Sequence, residues 1–301
     1  MLPALTVETV TEWLAGAAYL ADEDLATAVL LALELGRPLL LEGSPGVGKT
    51  EVAKALATAF GRRCVRLQCY EGIDAAQALY EWNHARQLLA IQAAGWGSAN
   101  PAGQGAGLMA GATAGPDIYG DDFLIARPLL EAVRDPDGVV LLIDEIDRAD
   151  DAFEALLLEF LSDFQISIPE RGTIAAGRPM PVVLTSNRTR ELHDALRRRC
   201  LFHFIGYPDP DREAAILRLK APGLAEGAAR RLVDAVAGIR ALPLVKRPGI
   251  SETIDWARGA RALEERGARW PVALKRSLGL LIKDEEDLRT VARAEVLEAL
   301  A

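Results

Sequence analysis

Short apolar runs recur along the first two thirds of the chain, with helix-period stretches between them. Residues 37–43 contain the run PLLL and read as a strand. Residues 51–60 (EVAKALATAF) carry apolar positions at helical spacing. Residues 64–68 (CVRLQ) alternate, as a half-buried strand does. Residues 139–143 (VVLLI) are continuously apolar, which suits a central parallel strand covered on both faces. A helix follows at 152–164, then strands at 181–185 and 201–205. Two alternating runs around Glu170-Arg171-Gly172 predict a hairpin over 165–175. Strands alternating with helices predict an α/β domain with a parallel sheet. Two helices, broken near 21–24, precede it. After Tyr207-Pro208-Asp209-Pro210 the pattern is helical to the end, with a helix start near Ser251-Glu252. The expected organisation is an α/β domain over 1–207 and a small all-helical subdomain over 208–301. Residues 93–116 are nearly all Ala, Gly and small polar residues. Such a stretch buries little and loses much entropy on ordering, so a mobile insertion loop is expected there.

Composition narrows the class. With 301 residues, half of them hydrophobic, the chain can build a sizeable core. A net charge of −9 argues against indiscriminate binding to nucleic acid or anionic membrane. The three cysteines are too few and scattered for a disulfide framework, and read as reduced thiols. The three histidines are far apart, which argues against a His-based metal site. The apolar stretch 25–35 is too short to span a membrane and contains Glu34. Glu8 and Glu12 replace the basic region of a secretory signal. A soluble cytoplasmic protein is expected.

Between the first strand and its helix lies Gly43-Ser44-Pro45-Gly46-Val47-Gly48-Lys49-Thr50. It matches G-x-x-x-x-G-K-[ST], a loop whose backbone N–H groups cradle phosphates at a helix N-terminus. In that pattern Lys49 reaches the β and γ phosphates and Thr50 ligates Mg²⁺. Asp144-Glu145 ends the apolar strand at the sheet edge where α/β folds bind ligands. Asp144 suits Mg²⁺ ligation, and Glu145 suits activation of an attacking water. Asn187 closes the next strand and would lie beside Asp144 if the two strands are neighbours, able to hold that water. Arg197-Arg198-Arg199 are costly to bury without anionic partners. Arg198 or Arg199 could project across a subunit boundary onto a neighbour's γ-phosphate, where charge develops in the transition state.

In this order the motifs resemble those of the AAA+ ATPases. Within that group the chain looks most like the MoxR type, through Leu41-Glu42-Gly43, Asp144-Glu145-Ile146-Asp147-Arg148-Ala149 and Phe204-Ile205-Gly206-Tyr207-Pro208. The 165–175 hairpin fits the pre-sensor hairpin of that clade. Residues 66–74 (RLQCYEGID), 80–83 (YEWN), 87–89 (QLL) and 123–130 (FLIARPLL) look closest to the CoxD-like branch. The resemblance implies a P-loop AAA+ fold with a helical lid, hydrolysis of ATP with Mg²⁺, and a homo-oligomeric ring, usually a hexamer. It also implies a von Willebrand factor A domain partner. The implied role is a chaperone that matures a metalloenzyme, a carbon monoxide dehydrogenase-type molybdenum hydroxylase. One departure concerns the second sensor arginine of the lid, for here Ser251 or Glu252 occupies that place, with Lys246 and Arg247 just before it. Three alternatives stand beside this reading: a nucleotide-switch scaffold with little turnover, a nucleic-acid motor or loader, and a small-molecule phosphotransferase.

Overall fold

The computed structural model describes residues 5–98, 117–224 and 227–294. Helices α1 (Val7–Gly16) and α2 (Glu23–Leu35) open the chain, capped by the side chains of Thr6 and Asp22. A first α/β unit follows: β1 (Leu39–Gly43), α3 (Lys49–Phe60) and β2 (Arg63–Gln68). Next come α4 (Ala75–Ala78), β3 (Tyr80–Trp82), α5 (His84–Ser98), β4 (Leu124–Ala126) and α6 (Pro128–Arg134). Then β5 (Val139–Asp144), α7 (Asp151–Asp163), the hairpin strands β6 (Gln165–Ile168) and β7 (Gly172–Ala175), β8 (Val182–Ser186), α8 (Asp194–Arg199) and β9 (Leu201–Ile205) complete the sheet region.

The main sheet has five strands in the order β2-β5-β8-β1-β9, all parallel. Its alternation explains the apolar runs. In β5, Val139, Leu141 and Ile143 pack with the α6 and α7 side, while Val140 and Leu142 pack with α1, α2 and α3. Every β5 side chain is therefore buried, and the period of two vanishes from the sequence. The edge strand β9 differs. Leu201 and Ile205 pack on the core, but Phe202 and Phe204 are exposed.

Two expectations change in the segment between β2 and β5. The helix α5 runs through Ser98, so residues 93–98 are helical rather than part of a loop. Residues 99–116 of the expected insertion lie outside the described residues. The second change is a small antiparallel sheet of β3 with β4, which joins the two ends of the insertion. Three-residue strands are too short to show a period, so the sequence carried no sign of them.

The remaining helices are α9 (Pro210–Lys220), α10 (Ala228–Arg240), α11 (Ile250–Glu264), α12 (Trp270–Arg276), α13 (Leu278–Leu281) and α14 (Glu285–Arg293). They close on their own core around Trp256, which is fully buried and donates from Nε1 to the Leu274 carbonyl at 3.0 Å. Arg240 ties this unit together. It donates to both oxygens of buried Glu213 (2.7 and 2.8 Å) and to the Pro248 carbonyl, and it stacks on Tyr207. Asp287 is also buried, where it accepts from the backbone N–H groups of Val245 and Lys246.

Candidate active site

The phosphate loop begins where β1 meets β9. A Cβ at Gly43 would lie 2.2 Å from the Ile205 carbonyl oxygen, so no larger residue fits there without parting the strands. Gly46 (φ +77°) and Gly48 (φ +98°) then turn the backbone through the left-handed region. The helix α3 starts at Lys49, and no side chain caps its first turn. Its N–H groups and its positive dipole end are left facing the loop, the arrangement that receives a phosphate. Lys49 is buried, and its ammonium donates to the carbonyls of Gly43 and Ser44, both at 2.8 Å. Burial lowers its pKa, opposed by the charges of Asp147, Asp144 and Glu145.

The strand order decides what surrounds Asp144. Because β5 lies between β2 and β8, its last residue meets side chains from both neighbours and from α3. Asp144 Oδ1 accepts from the hydroxyls of Thr50 (3.0 Å) and Thr185 (2.6 Å). Its Oδ2 accepts from Arg66 Nε at 2.9 Å and from Nη2 of the same guanidinium. A hydroxyl and a carboxylate side by side are hard oxygen donors, which fits Mg²⁺ completed by phosphate and water. Among the described residues no group of three or more His, Cys, Asp or Glu side chains could hold a metal alone.

Glu145 has φ +55°, a conformation that costs a non-glycine residue about 1 kcal/mol or more. Its N–H is held by Thr185 Oγ1 at 2.9 Å. The turn directs its carboxylate away from Asp144 and toward three donors. Gln68 Nε2 lies 3.2 Å from Oε2, Arg148 Nε 3.1 Å from Oε2, and Asn187 Nδ2 3.3 Å from Oε1. Asn187 therefore meets Glu145, while Thr185 is the β8 residue beside Asp144. A water bound beside this pair would meet a proton acceptor in Glu145 and an amide in Asn187.

The loop after β8 is positioned by a residue with no obvious role in the sequence. Asp147 is only 2% exposed. It accepts from the N–H of Asn187 (3.1 Å), the N–H of Thr189 (2.9 Å) and the Thr189 hydroxyl (2.6 Å). Between them, Arg188 takes φ +60° and pairs with buried Glu42. Burial pushes the Asp147 carboxyl up, but the bonds from Thr189 and Asn187 outweigh it and hold its pKa below the usual value. Its stabilising effect is therefore complete above about pH 4 and is lost as pH falls through its lowered folded value. An Asp147→Asn variant should be about 1–3 kcal/mol less stable at pH 7, because its amide faces the Thr189 donors. It should also lose less stability than the parent between pH 5 and pH 3. Thermal unfolding across that range checks both, and an unchanged acid slope would reject the assignment.

The arginines of α8 lie elsewhere. Arg197 stacks on Phe202, and Arg199 donates to the Leu158 carbonyl and to Ser162 Oγ at the end of α7. Arg198 is exposed and has no hydrogen bond or ion pair among the described residues. None of the three contacts the phosphate loop of its own chain.

The helical unit reaches the loop directly. The Gly46 carbonyl accepts from the N–H groups of Ile250 (3.1 Å) and Ser251 (3.2 Å) and from the Ser251 hydroxyl (3.2 Å). Glu252 closes a capping interaction on Gly249, and Lys246 and Arg247 are exposed. Beside this junction is a cleft of about 150 Å³, bounded by the phosphate loop, residues 18–22, the end of β9, α9 and α11. Val47, Ile205, Ile216 and Ile254 give it an apolar wall suited to a nucleobase. Arg212 of α9 locks one side, donating to the Leu20 carbonyl and pairing with Asp22.

A profile of the ATPase family associated with various cellular activities (AAA) matches residues 39–207, from the first strand to the exit of β9. This chain belongs to the AAA family. Midasin of Dictyostelium discoideum is 34% identical over 84 residues, a match that spans 24% of this AAA chain and 1% of that protein. Among solved structures, the RuvB Holliday junction branch migration motor of Thermotoga maritima has a TM-score of 0.49 at 18% identity, covering 89% of this chain and 72% of its own. A single-substitution variant of that motor gives 0.48 at 18% identity, covering 93% and 71%. The AAA fold is as expected: a P-loop domain with a central parallel sheet, followed by a helical region. No helix among the described residues is long and apolar enough to cross a membrane.

Two of the thiols are buried and inert. Cys69 and Cys200 have pKa values pushed up to about 12 by burial, and no cysteine is paired among the described residues.

The residues missed in the sequence are Arg66, Gln68, Asp147, Arg148 and Thr185. Arg66 and Gln68 sat inside the alternating strand read from 64–68, where polar positions look like a solvated face. Only the polar end of that strand hinted that it finishes at a site.

Proposed function

We propose that this chain is a Mg²⁺-dependent ATPase working as a ring motor in the cytoplasm to remodel a protein client. The convergence of Thr50, Asp144, Glu145 and Asn187 on the mouth of the phosphate loop carries the reading. Lys49 and the amides of residues 43–50 bind the phosphates. Thr50 and Asp144 hold Mg²⁺, which supplies charge neutralisation on the phosphate oxygens. Glu145 accepts a proton from the attacking water, and the Asn187 amide orients that water. Arg198 or Arg199 of an adjacent subunit completes the site. The exposed position of Arg198 and the exposed edge of β9 favour a second subunit seated there.

The finer reading is that of a MoxR-type chaperone of the CoxD-like branch. Its client is a molybdenum hydroxylase under assembly, and its partner carries a von Willebrand factor A domain. The motifs quoted above support it. Purified chain with Mg²⁺ and ATP should release phosphate steadily, and addition of the partner with an immature client should raise the rate. A binder that hydrolyses nothing would be a switch instead. Stimulation by DNA or RNA alone would make it a nucleic-acid motor.

A further inference from the structure

Asp144 is gripped by a cation from its own sheet. Arg66, on β2, places Nε 2.9 Å from Asp144 Oδ2, and its Nη2 donates both to that oxygen and to Gln68 Oε1. The strand register makes this possible. Gln68 stands opposite Asp144, and Arg66 lies one period back, opposite Leu142, on the same face.

The two oxygens of Asp144 are not equivalent. Oδ1 is satisfied by the hydroxyls of Thr50 and Thr185, whereas Arg66 supplies both donors to Oδ2. Arg66 also fixes Gln68. With the amide oxygen turned to the guanidinium, the Gln68 NH₂ faces Glu145 Oε2 at 3.2 Å and the Cys69 carbonyl at 3.3 Å. The chain of contacts therefore runs Asp144–Arg66–Gln68–Glu145. It joins the metal-binding carboxylate to the water-activating one by a route outside the phosphate loop. Arg66 has the freedom to let go, since its side chain is 53% exposed.

We propose that Arg66 is a built-in counter-ion that competes with Mg²⁺ for Asp144, so that metal entry frees Gln68 and, through it, Glu145. The inference rests on the Mg²⁺-ATPase reading above. Mg²⁺ beside Thr50 at Oδ1 and the guanidinium on Oδ2 draw on the charge of one carboxylate, and their repulsion across it weakens the Arg66 contact. Displacement of Arg66 removes the donor to the Gln68 amide oxygen and lets that amide rotate, and Glu145 loses a donor that competes with water. Nucleotide bound without Mg²⁺ leaves Glu145 restrained.

The test compares the parent with Arg66→Gln, using a fluorescent, non-hydrolysable ATP analogue titrated with MgCl₂. Loss of the competing cation should lower the half-saturating Mg²⁺ concentration about tenfold, the scale expected for a charge-assisted pair in a half-exposed site. The direction is diagnostic, since a purely structural role for Arg66 would weaken binding. A half-saturation within about twofold of the parent, or above it, overturns the proposal. If the parent itself binds the analogue with no Mg²⁺ dependence, the metal assignment at Asp144 fails and the counter-ion role falls with it. Should Arg66→Gln fail to fold, Arg66→Lys carries the same prediction with a smaller shift, because one ammonium cannot span Asp144 and Gln68 together.

Discussion

A Glu145→Gln variant is expected to bind ATP as the parent does and to hydrolyse it about 10²- to 10⁴-fold more slowly. The two properties separate because different residues carry them. Phosphate binding rests on Lys49, the glycine turns and the uncapped start of α3, none of which touches the Glu145 carboxylate. Glutamine preserves the size of the side chain and the αL turn at this position. It loses the ability to take a proton from water. It also sets an amide against the donors of Gln68, Arg148 and Asn187, so the side chain must reorient. Equilibrium binding of ATP, followed by steady-state phosphate release, measures the two effects separately. Turnover near the parent's would reject Glu145 as the base.

Arg198→Ala is expected to lose turnover by about 10³-fold or more if its guanidinium serves a neighbouring site. Among the described residues this arginine has no hydrogen bond or ion pair, whereas Arg199 donates to Leu158 and Ser162 at the end of α7. The informative experiment mixes Arg198→Ala subunits with Asp144→Ala subunits, each inactive alone. In rings assembled from equal amounts, roughly a quarter of the interfaces join an intact Asp144 to an intact Arg198. Activity should return in about that proportion. Intact rings with no recovery would place Arg198 outside the site. The same mixture made with Arg199→Ala then asks whether its intrachain contacts yield on assembly.

Much of the site is legible in the chain because its motifs are contiguous. The turn from Gly43 to Thr50 is a local backbone property, and eight adjacent residues are enough to specify it. The apolar run ahead of Asp144 likewise announces a strand buried on both faces, since a residue's neighbours on its own strand are near it in sequence. The partners of that carboxylate are different in kind. Thr185 and Arg66 reach Asp144 from 41 and 78 residues away along the chain, through two strands that flank β5. Their hydroxyl and guanidinium carry no mark that separates them from ordinary polar strand positions. Asn187 was expected beside Asp144, but the left-handed turn at Glu145 brings Glu145 to it instead. The run of three arginines left Arg198 and Arg199 undistinguished as candidates to cross a subunit boundary, whereas helix α8 sends the three to different surroundings.

By itself, then, the sequence determined the loop, the strand that ends in two acids and the alternation that makes an α/β sheet. Each depends on short-range dihedral and burial preferences. The strand order β2-β5-β8-β1-β9 belongs to the tertiary structure alone. It decided that Arg66 faces Asp144 and that Gln68 lies against Glu145. These contacts depend on which strands lie side by side, and that choice is made by the packing of the whole core.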